Sequence, residues 1–209
     1  DHILKDAGVD AEGMTMAQMD EAIETNGIKS PDGNPLSKSR TFNMMFETHV
    51  GATHDEKSVS YLRPETAQGI FTNYKNVVDS FYPDLPFGLA QQGKAFRNEI
   101  SPRDFIFRSR EFEQMEIEYF IHKHTWEENF DHWRKQWHAY FDALGLSSEN
   151  IHELEVPEND RAHYSKRTVD FEFDFPIGKE ELAGLAYRTD FDLGNIHRES
   201  GKSMDYTIK

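Results

Sequence analysis

The segment Phe96-Arg97-Asn98-Glu99, the stretch 100–106, and then Phe107-Arg108-Ser109-Arg110-Glu111-Phe112-Glu113-Gln114-Met115-Glu116 decide how this chain reads. The pattern predicts strands at about 87–99 and 106–120, joined by a loop over Ile100–Phe105. Side chains alternate along a strand, so Phe112, Gln114, Glu116 and Glu118 share one face. At about 3.3 Å per residue, Phe112 and Glu116 stand roughly 13 Å apart. Arginine forks suit phosphates and carboxylates, and carboxylates suit ammonium groups and exocyclic amines. Both types alternating in one hairpin point to ATP and an amino acid held together. The plain alternative is a hairpin with surface Arg–Glu pairs, which contribute little to stability. Against it, charges fall on both faces, which is costly in a sheet unless a ligand or partner satisfies them.

Upstream, Tyr61-Leu62-Arg63-Pro64-Glu65-Thr66-Ala67-Gln68-Gly69 leads into a predicted helix over 66–81, with Ile70, Tyr74 and Val77 or Val78 on one face. Pro64 forces Arg63 into an extended conformation. Glu65 and Thr66 fit the start of that helix as caps; a helix start also offers backbone N–H groups to a ligand. Short strands are expected at Thr41–Thr48 and Ser58–Leu62. Residues 1–28 read as helical, with Thr15 capping a helix that carries Met16, Met19, Ala22 and Ile23 on one face and stops at Asn26-Gly27. The following 30–35 stretch is turn-rich.

Downstream, Trp126, Phe130, Trp133, Trp137, Tyr140, Phe141 and Leu144 recur every three to four residues and predict a core-facing helix over Thr125–Leu144. Asp170–Phe175 and Ala183–Thr189 read as strands. Strands separated by turns and a few helices make the fold class α+β, with a mainly antiparallel sheet flanked by helices.

The bulk numbers narrow the field. The 209 residues suffice for one sizeable domain, and the hydrophobic fraction of 37 % with 29 % charged residues is a globular balance. No apolar run approaches the roughly 20 residues of a membrane span. With no cysteine there is no disulfide, thiolate nucleophile or Cys-based zinc site. The net charge of −15 gives no broad affinity for nucleic acid, so any RNA contact must use a local patch or another part of a larger protein. His122 and His124, or His132 and His138, lack the spacing of a helical metal-binding pair.

Residues 96–116 resemble motif 2 of the class II aminoacyl-tRNA synthetases. Together with the Arg63–Gly69 stretch, the chain is similar to the glycyl-tRNA synthetase family, in its bacterial homodimer-type branch. The resemblance implies the α+β class II catalytic core, with ATP and Mg²⁺ as cofactors. It assigns Arg97 to the ATP α-phosphate as the catalytic arginine, Glu99 to the adenine amino group, Arg108 to the phosphates and Phe112 to the adenine ring. Asn98, Phe107, Ser109, Arg110 and Glu111 complete the motif around ATP. Glycine falls to Glu65, Phe112, Glu113, Gln114, Met115 and Glu116, with Glu65 and Glu116 on the ammonium. The segment Glu180–Leu193 resembles a further family stretch. In it Glu181, favoured over Glu180 by spacing, would hold Mg²⁺ through ATP, with Leu182 near the nucleotide. Relatives carry Gly-Trp-Gly before this glutamate, whereas here the order is Gly178-Lys179-Glu180.

The same resemblance implies a homodimer in the cytoplasm that meets the acceptor end of tRNA(Gly) through the 100–106 loop, with no membrane association. Many relatives carry Cys-x-x-Cys near the turn-rich segment; Ser30-Pro31-Asp32-Gly33 stands there instead, so zinc is not expected. Residues 1–40 are expected to form a helical, insert-like region with a turn-rich linker, and 41–209 a partial catalytic domain. Motif 1 is expected upstream of Asp1, with motif 3 and the anticodon-binding domain beyond Lys209, so that residues 1–209 do not aminoacylate alone. Two alternatives stay open: a non-catalytic synthetase-like accessory subunit, and another class II enzyme of threonyl or prolyl type.

Overall fold

A computed structural model of the chain describes residues 3–4, 7–9, 14–40, 42–52 and 58–207. It is an α+β structure whose sheets are all antiparallel, in two compact units, 1–44 and 45–209.

In the first unit, α1 (Met16–Thr25) starts on a capping box: the Gln18 N–H reaches Thr15 Oγ1 (3.3 Å) and the Thr15 N–H reaches Gln18 Oε1 (2.8 Å). Asn26 closes it as the C-cap. Of the expected 1–28 helical region, residues 1–2, 5–6 and 10–13 lie outside the described residues. The turn-rich segment folds back so that Lys29 bridges Pro35, and Asp20 accepts from both the backbone N–H and the hydroxyl of Ser39.

The second unit opens with β1 (Glu47–His49) paired to β2 (Val59–Tyr61). The expected strand over Thr41–Thr48 is therefore shorter and later, because only three residues of the facing segment offer a ladder; Thr41 itself lies outside the described residues. Helix α2 (Ala67–Phe81) buries Ala67, Ile70, Phe71 and Tyr74. It packs on the far end of the hairpin formed by β3 (Phe87–Phe96) and β4 (Glu111–Phe120). There Tyr74 meets Phe120 at 4.7 Å between ring centroids, and Phe87 meets Phe120 at 5.1 Å.

The hairpin strands are shorter than expected on the loop side. After the Arg97 N–H to Arg110 O rung (3.0 Å) the chain turns, with Glu99 N–H donating back to Arg97 O at 2.8 Å. Pro102 has no N–H to extend the ladder. An isolated Arg103–Arg108 bridge then closes a small secondary turn, with Asp104 and Phe105 at positive φ (58° and 56°). The connection thus covers 97–110 rather than Ile100–Phe105, and it carries Asn98, Glu99, Phe107, Arg108, Ser109 and Arg110.

A second layer follows. Helix α3 (Trp126–Ala143) lies on the sheet β5–β6–β7, formed by β5 (Ile151–Glu155), β6 (Arg167–Phe175) and β7 (Gly178–Tyr187). Phe130, Phe141, Val169 and Phe171 are the buried centre, flanked by Trp126 and Trp137 from the predicted aromatic stripe. The end of the stripe departs from it: Leu144 is 57 % exposed. β7 starts five residues before the expected Ala183, at Gly178, and stops at Tyr187, because Arg188 and the left-handed Thr189 (φ 58°) turn the chain into α4 (Phe191–Ser200). β5 and α4 are elements the pattern did not reveal. The β6–β7 register slips between Phe171 and Glu172, so that Glu181 pairs Glu172 while Ala183 pairs Phe171 and Leu182 bulges.

Candidate active site

The site begins with how the Arg63–Thr66 segment is fastened to the hairpin. Arg63 donates from Nε to Lys94 O (2.6 Å), its own carbonyl accepts from the Phe96 N–H (2.9 Å), and Pro64 O accepts from Arg97 Nε (3.2 Å). The Thr66 N–H donates to Gln114 Oε1 (3.2 Å), and Thr66 Oγ1 donates to Glu116 Oε2 (2.7 Å). Thr66 is fully buried and makes no side-chain cap to α2, contrary to the capping role its position invites. The Ala67 backbone also favours the ionised form of Glu116, whose carboxylate thus stands near the helix start.

The inward face of β4 then carries Phe112, Gln114, Glu116 and Glu118, as alternation requires. Burial raises the Glu116 carboxyl above the ordinary range; the Thr66 hydroxyl and Arg188 pull it down, while Glu65 pushes it up. Glu118 is pushed up to about 8 by burial, with Glu116, Asp192 and Glu65 adding to the rise and Arg188 opposing it. Glu65 also accepts from Gln68 Nε2 at 3.0 Å. Three carboxylates are thus gathered within mutual electrostatic reach, a strongly cation-seeking place.

Two arginines flank it. Arg97 lies 5.4 Å from the centroid of the Phe112 ring. Arg188 is 14 % exposed and forms a bidentate pair with Asp192 (2.8 and 2.9 Å), which is itself 8 % exposed. Its guanidinium stacks 3.7 Å from the Tyr164 ring centroid and 5.2 Å from that of Phe71. Burial works against its charge, but Asp192 and Glu118 hold its pKa above the usual arginine value.

Glu181 stands on β7 beside Asp170. Burial and the Asp170 carboxylate raise its pKa, and Arg97 lowers it, which brings this strand into the electrostatic reach of the hairpin. Gly184 leaves the space between the acids: a Cβ there would sit 3.5 Å from both Asp170 Oδ1 and Glu181 Oε1. Among the described residues no group of three or more His, Asp or Glu is arranged to hold a metal ion by itself. Two convergent carboxylate oxygens nevertheless suit a hard cation whose other ligands come from phosphates and water.

The remaining predicted residues divide. Arg108 pairs with Glu99 (3.4 Å), and Arg110 Nε donates to Glu99 O (2.9 Å), so Glu99 gathers both arginines. Ser109 Oγ donates to Glu111 O (2.8 Å). Phe107 packs against Phe175 at 5.2 Å. Leu182 faces the α3 core. Glu111, Glu113 and Met115 lie on the opposite face of β4, away from Glu116; Lys94 meets Glu111 at 2.9 Å and Glu113 at 3.9 Å, and Met115 is 65 % exposed. Sequence reasoning gave Gln91, Glu118, Asp170, Arg188 and Asp192 no role in the site and Thr66 only that of a helix cap. For Arg188 and Asp192 the i, i+4 spacing of opposite charges was the available signal.

The family model of the tRNA synthetase class II core domain (G, H, P, S and T) matches residues 46–198. The chain belongs to the class II tRNA synthetase core family. Among curated relatives, this synthetase core is 50 % identical over 197 residues to a protein of Deinococcus radiodurans named glycine--tRNA ligase, a match covering 92 % of the chain and 39 % of that relative. It is 50 % identical over 191 residues to the glycine--tRNA ligase of Thermus thermophilus, covering 90 % and 38 %. With that of Caldanaerobacter subterraneus subsp. tengcongensis it shares 45 % over 208 residues, covering 98 % and 45 %. The synthetase core thus spans about two fifths of the length of these relatives. Among its described residues no helix is long and apolar enough to cross a membrane.

Proposed function

We propose that the intact protein is a glycine–tRNA ligase and that residues 45–209 carry part of its ATP and glycine site. The observation that carries this reading is the docking of Arg63–Thr66 on the hairpin, which gathers Glu65, Glu116 and Glu118 between Arg97 and Arg188. Acids for an ammonium and arginines for carboxylate and phosphate match the ends of an aminoacyl-adenylate. Glycine has no side chain to grip, so its recognition rests on those ends and on filled space that rejects a Cβ. The relatives' names favour the same amino acid.

A glycine carboxylate oxygen attacks the ATP α-phosphorus, forming the mixed anhydride and releasing pyrophosphate; a terminal ribose hydroxyl of the tRNA then attacks the glycyl carbonyl carbon, forming the ester, losing its proton and releasing AMP. No protein nucleophile takes part, and catalysis is positioning plus charge stabilisation. Arg97 faces the α-phosphate, where negative charge grows. The connection 97–110, through Asn98, Glu99, Phe107, Arg108, Ser109 and Arg110, together with Phe112, holds the nucleotide, while Glu111 stays on the outer face with Lys94. Leu182, turned into the α3 core, supports the nucleotide side only through the strand it shares with Glu181, and Glu65, Phe112, Gln114 and Glu116 hold glycine. Glu113 and Met115 support that pocket only from the outer face of the strand. Glu181, with Asp170 across Gly184, would hold the Mg²⁺ that neutralises ATP phosphate charge when bound.

In this reading the 100–106 loop, with Phe105 93 % exposed, meets the tRNA acceptor end. Residues 1–40 are a helical insert-like region, 41–209 a partial catalytic domain, and the intact protein a cytoplasmic homodimer. Titrating the intact protein with ATP and with a stable glycyl-adenylate analogue tests the assignment. Binding of both, the analogue more tightly, is expected; failure to bind either favours an accessory subunit.

A further inference from the structure

Thr66 departs from what its position invites. A threonine at a helix N-cap ordinarily accepts from the second or third backbone N–H of the helix. Here its φ is −93° and its ψ −18°, it makes no such cap, and its hydroxyl proton goes to Glu116 Oε2 at 2.7 Å. Every other polar group of Thr66 is also engaged. Its N–H meets Gln114 Oε1 at 3.2 Å, and with the Gln91 amide oriented to satisfy both its ends the Thr66 carbonyl accepts from the Gln91 amide nitrogen at 3.2 Å. In that same amide orientation the Gln91 oxygen accepts from Arg63 Nη1 at 2.9 Å, and Arg63 Nε is fixed on Lys94 O. Gln91 and Glu116 are directly paired across the strands, as are Gly93 and Gln114. The Arg63 guanidinium lies where a side chain at residue 93 would begin: a Cβ on Gly93 would come 2.4 Å from Arg63 Nη2.

We propose that Thr66 is a positioning residue for the ammonium-binding carboxylate of Glu116, held by an Arg63–Gln91–Gln114 clamp that requires glycine at position 93. The inference rests on the glycine-site reading above. A carboxylate has about four lone-pair directions. With Thr66 Oγ1 taking one of them at 2.7 Å, the carboxylate is held in one orientation and its remaining directions are left for the ligand. The charged groups facing Glu116 are Glu65 from the preceding loop and Arg188 from the end of β7, with Glu118 two residues along its own strand. The Thr66 hydroxyl is the one neutral side-chain donor among them that favours the ionised form.

The test uses the intact protein and glycine-dependent ATP–pyrophosphate exchange. Thr66→Val keeps the shape and removes the donor. It is expected to raise the KM for glycine about 10- to 100-fold, as loss of a charge-assisted bond does, and to leave the KM for ATP unchanged. Because Glu116 must be ionised to accept the ammonium, losing a donor that lowers its pKa moves the acid limb of kcat/KM for glycine to higher pH. Thr66→Ser restores the donor and brings both readouts back towards wild type. Gly93→Ala keeps the hydroxyl but displaces Arg63, and shifts the glycine KM in the same direction by less. The Glu116 carboxyl, followed by NMR in protein carrying ¹³C-labelled glutamate, titrates higher in Thr66→Val whether or not that variant turns over.

An unchanged glycine KM and acid limb in Thr66→Val, or a Thr66→Ser variant as impaired as Thr66→Val, overturns the proposal. Wild-type exchange with another amino acid but not glycine removes the glycine reading while the same variant series, run with that amino acid, still decides the positioning role. A wild-type protein that activates no amino acid removes both.

Discussion

Glu118 is a carboxyl placed where ionisation is unwelcome, with Glu116, Asp192 and Glu65 around it and Arg188 as the compensating charge. Its folded-state pKa of about 8 lies above the ordinary glutamate value of 4.5, so the folded state binds the proton more tightly. The stability this contributes is present below about pH 4.5 and is lost as pH rises through about 8. Glu118→Gln keeps the neutral shape, and it is expected to remove that pH dependence and to stabilise the protein at pH 9 by on the order of 2 kcal/mol. Urea melts of both proteins at pH 5 and pH 9 check this; parallel pH dependence in the two would contradict it. Arg97 gives a second prediction at this scale. A lysine there loses the planar fork over Phe112, so Arg97→Lys should lower kcat for pyrophosphate exchange by about 10² with a small change in glycine KM, as removal of a transition-state contact does.

Among the elements, those with a strong period were legible and those shaped by one partner were not. The aromatic stripe of α3 and the capping box of α1 are local signals that the structure bears out. Phe171 sits at the centre of the α3–sheet layer, fully buried beside Trp137 and Phe141. Phe171→Ala is expected to cost about 3–5 kcal/mol, read as a lower urea midpoint at unchanged m-value. β5 escaped notice because Ile-His-Glu-Leu-Glu lacks strict alternation, and α4 because its start depends on the Arg188–Asp192 pair and the left-handed Thr189. Residues 97–99 and 106–110, the two ends of the connection, read as strand because their residues suit strands. What breaks the ladder is the Glu99-to-Arg97 turn and the Arg103–Arg108 bridge, neither of which a propensity carries.

Taken as a whole molecule, the chain carries −15 formal charges and concentrates its chemistry where two arginines offset three acids. The family was legible from residues 61–69 and 96–116 because their side-chain types follow the ligand's chemistry. What brings them together was not: the Arg63 guanidinium over Gly93, the diverted Thr66 hydroxyl and the Gly184 gap between Asp170 and Glu181 depend on contacts between residues distant in sequence. The central claim is that this site activates glycine. Its most direct test is amino-acid-dependent ATP–pyrophosphate exchange by the intact protein. The account predicts exchange with glycine, with alanine, threonine and proline at least about 100-fold poorer in kcat/KM, since a filled pocket rejects added groups strongly. Exchange supported equally by threonine or proline, or none with glycine, would contradict it.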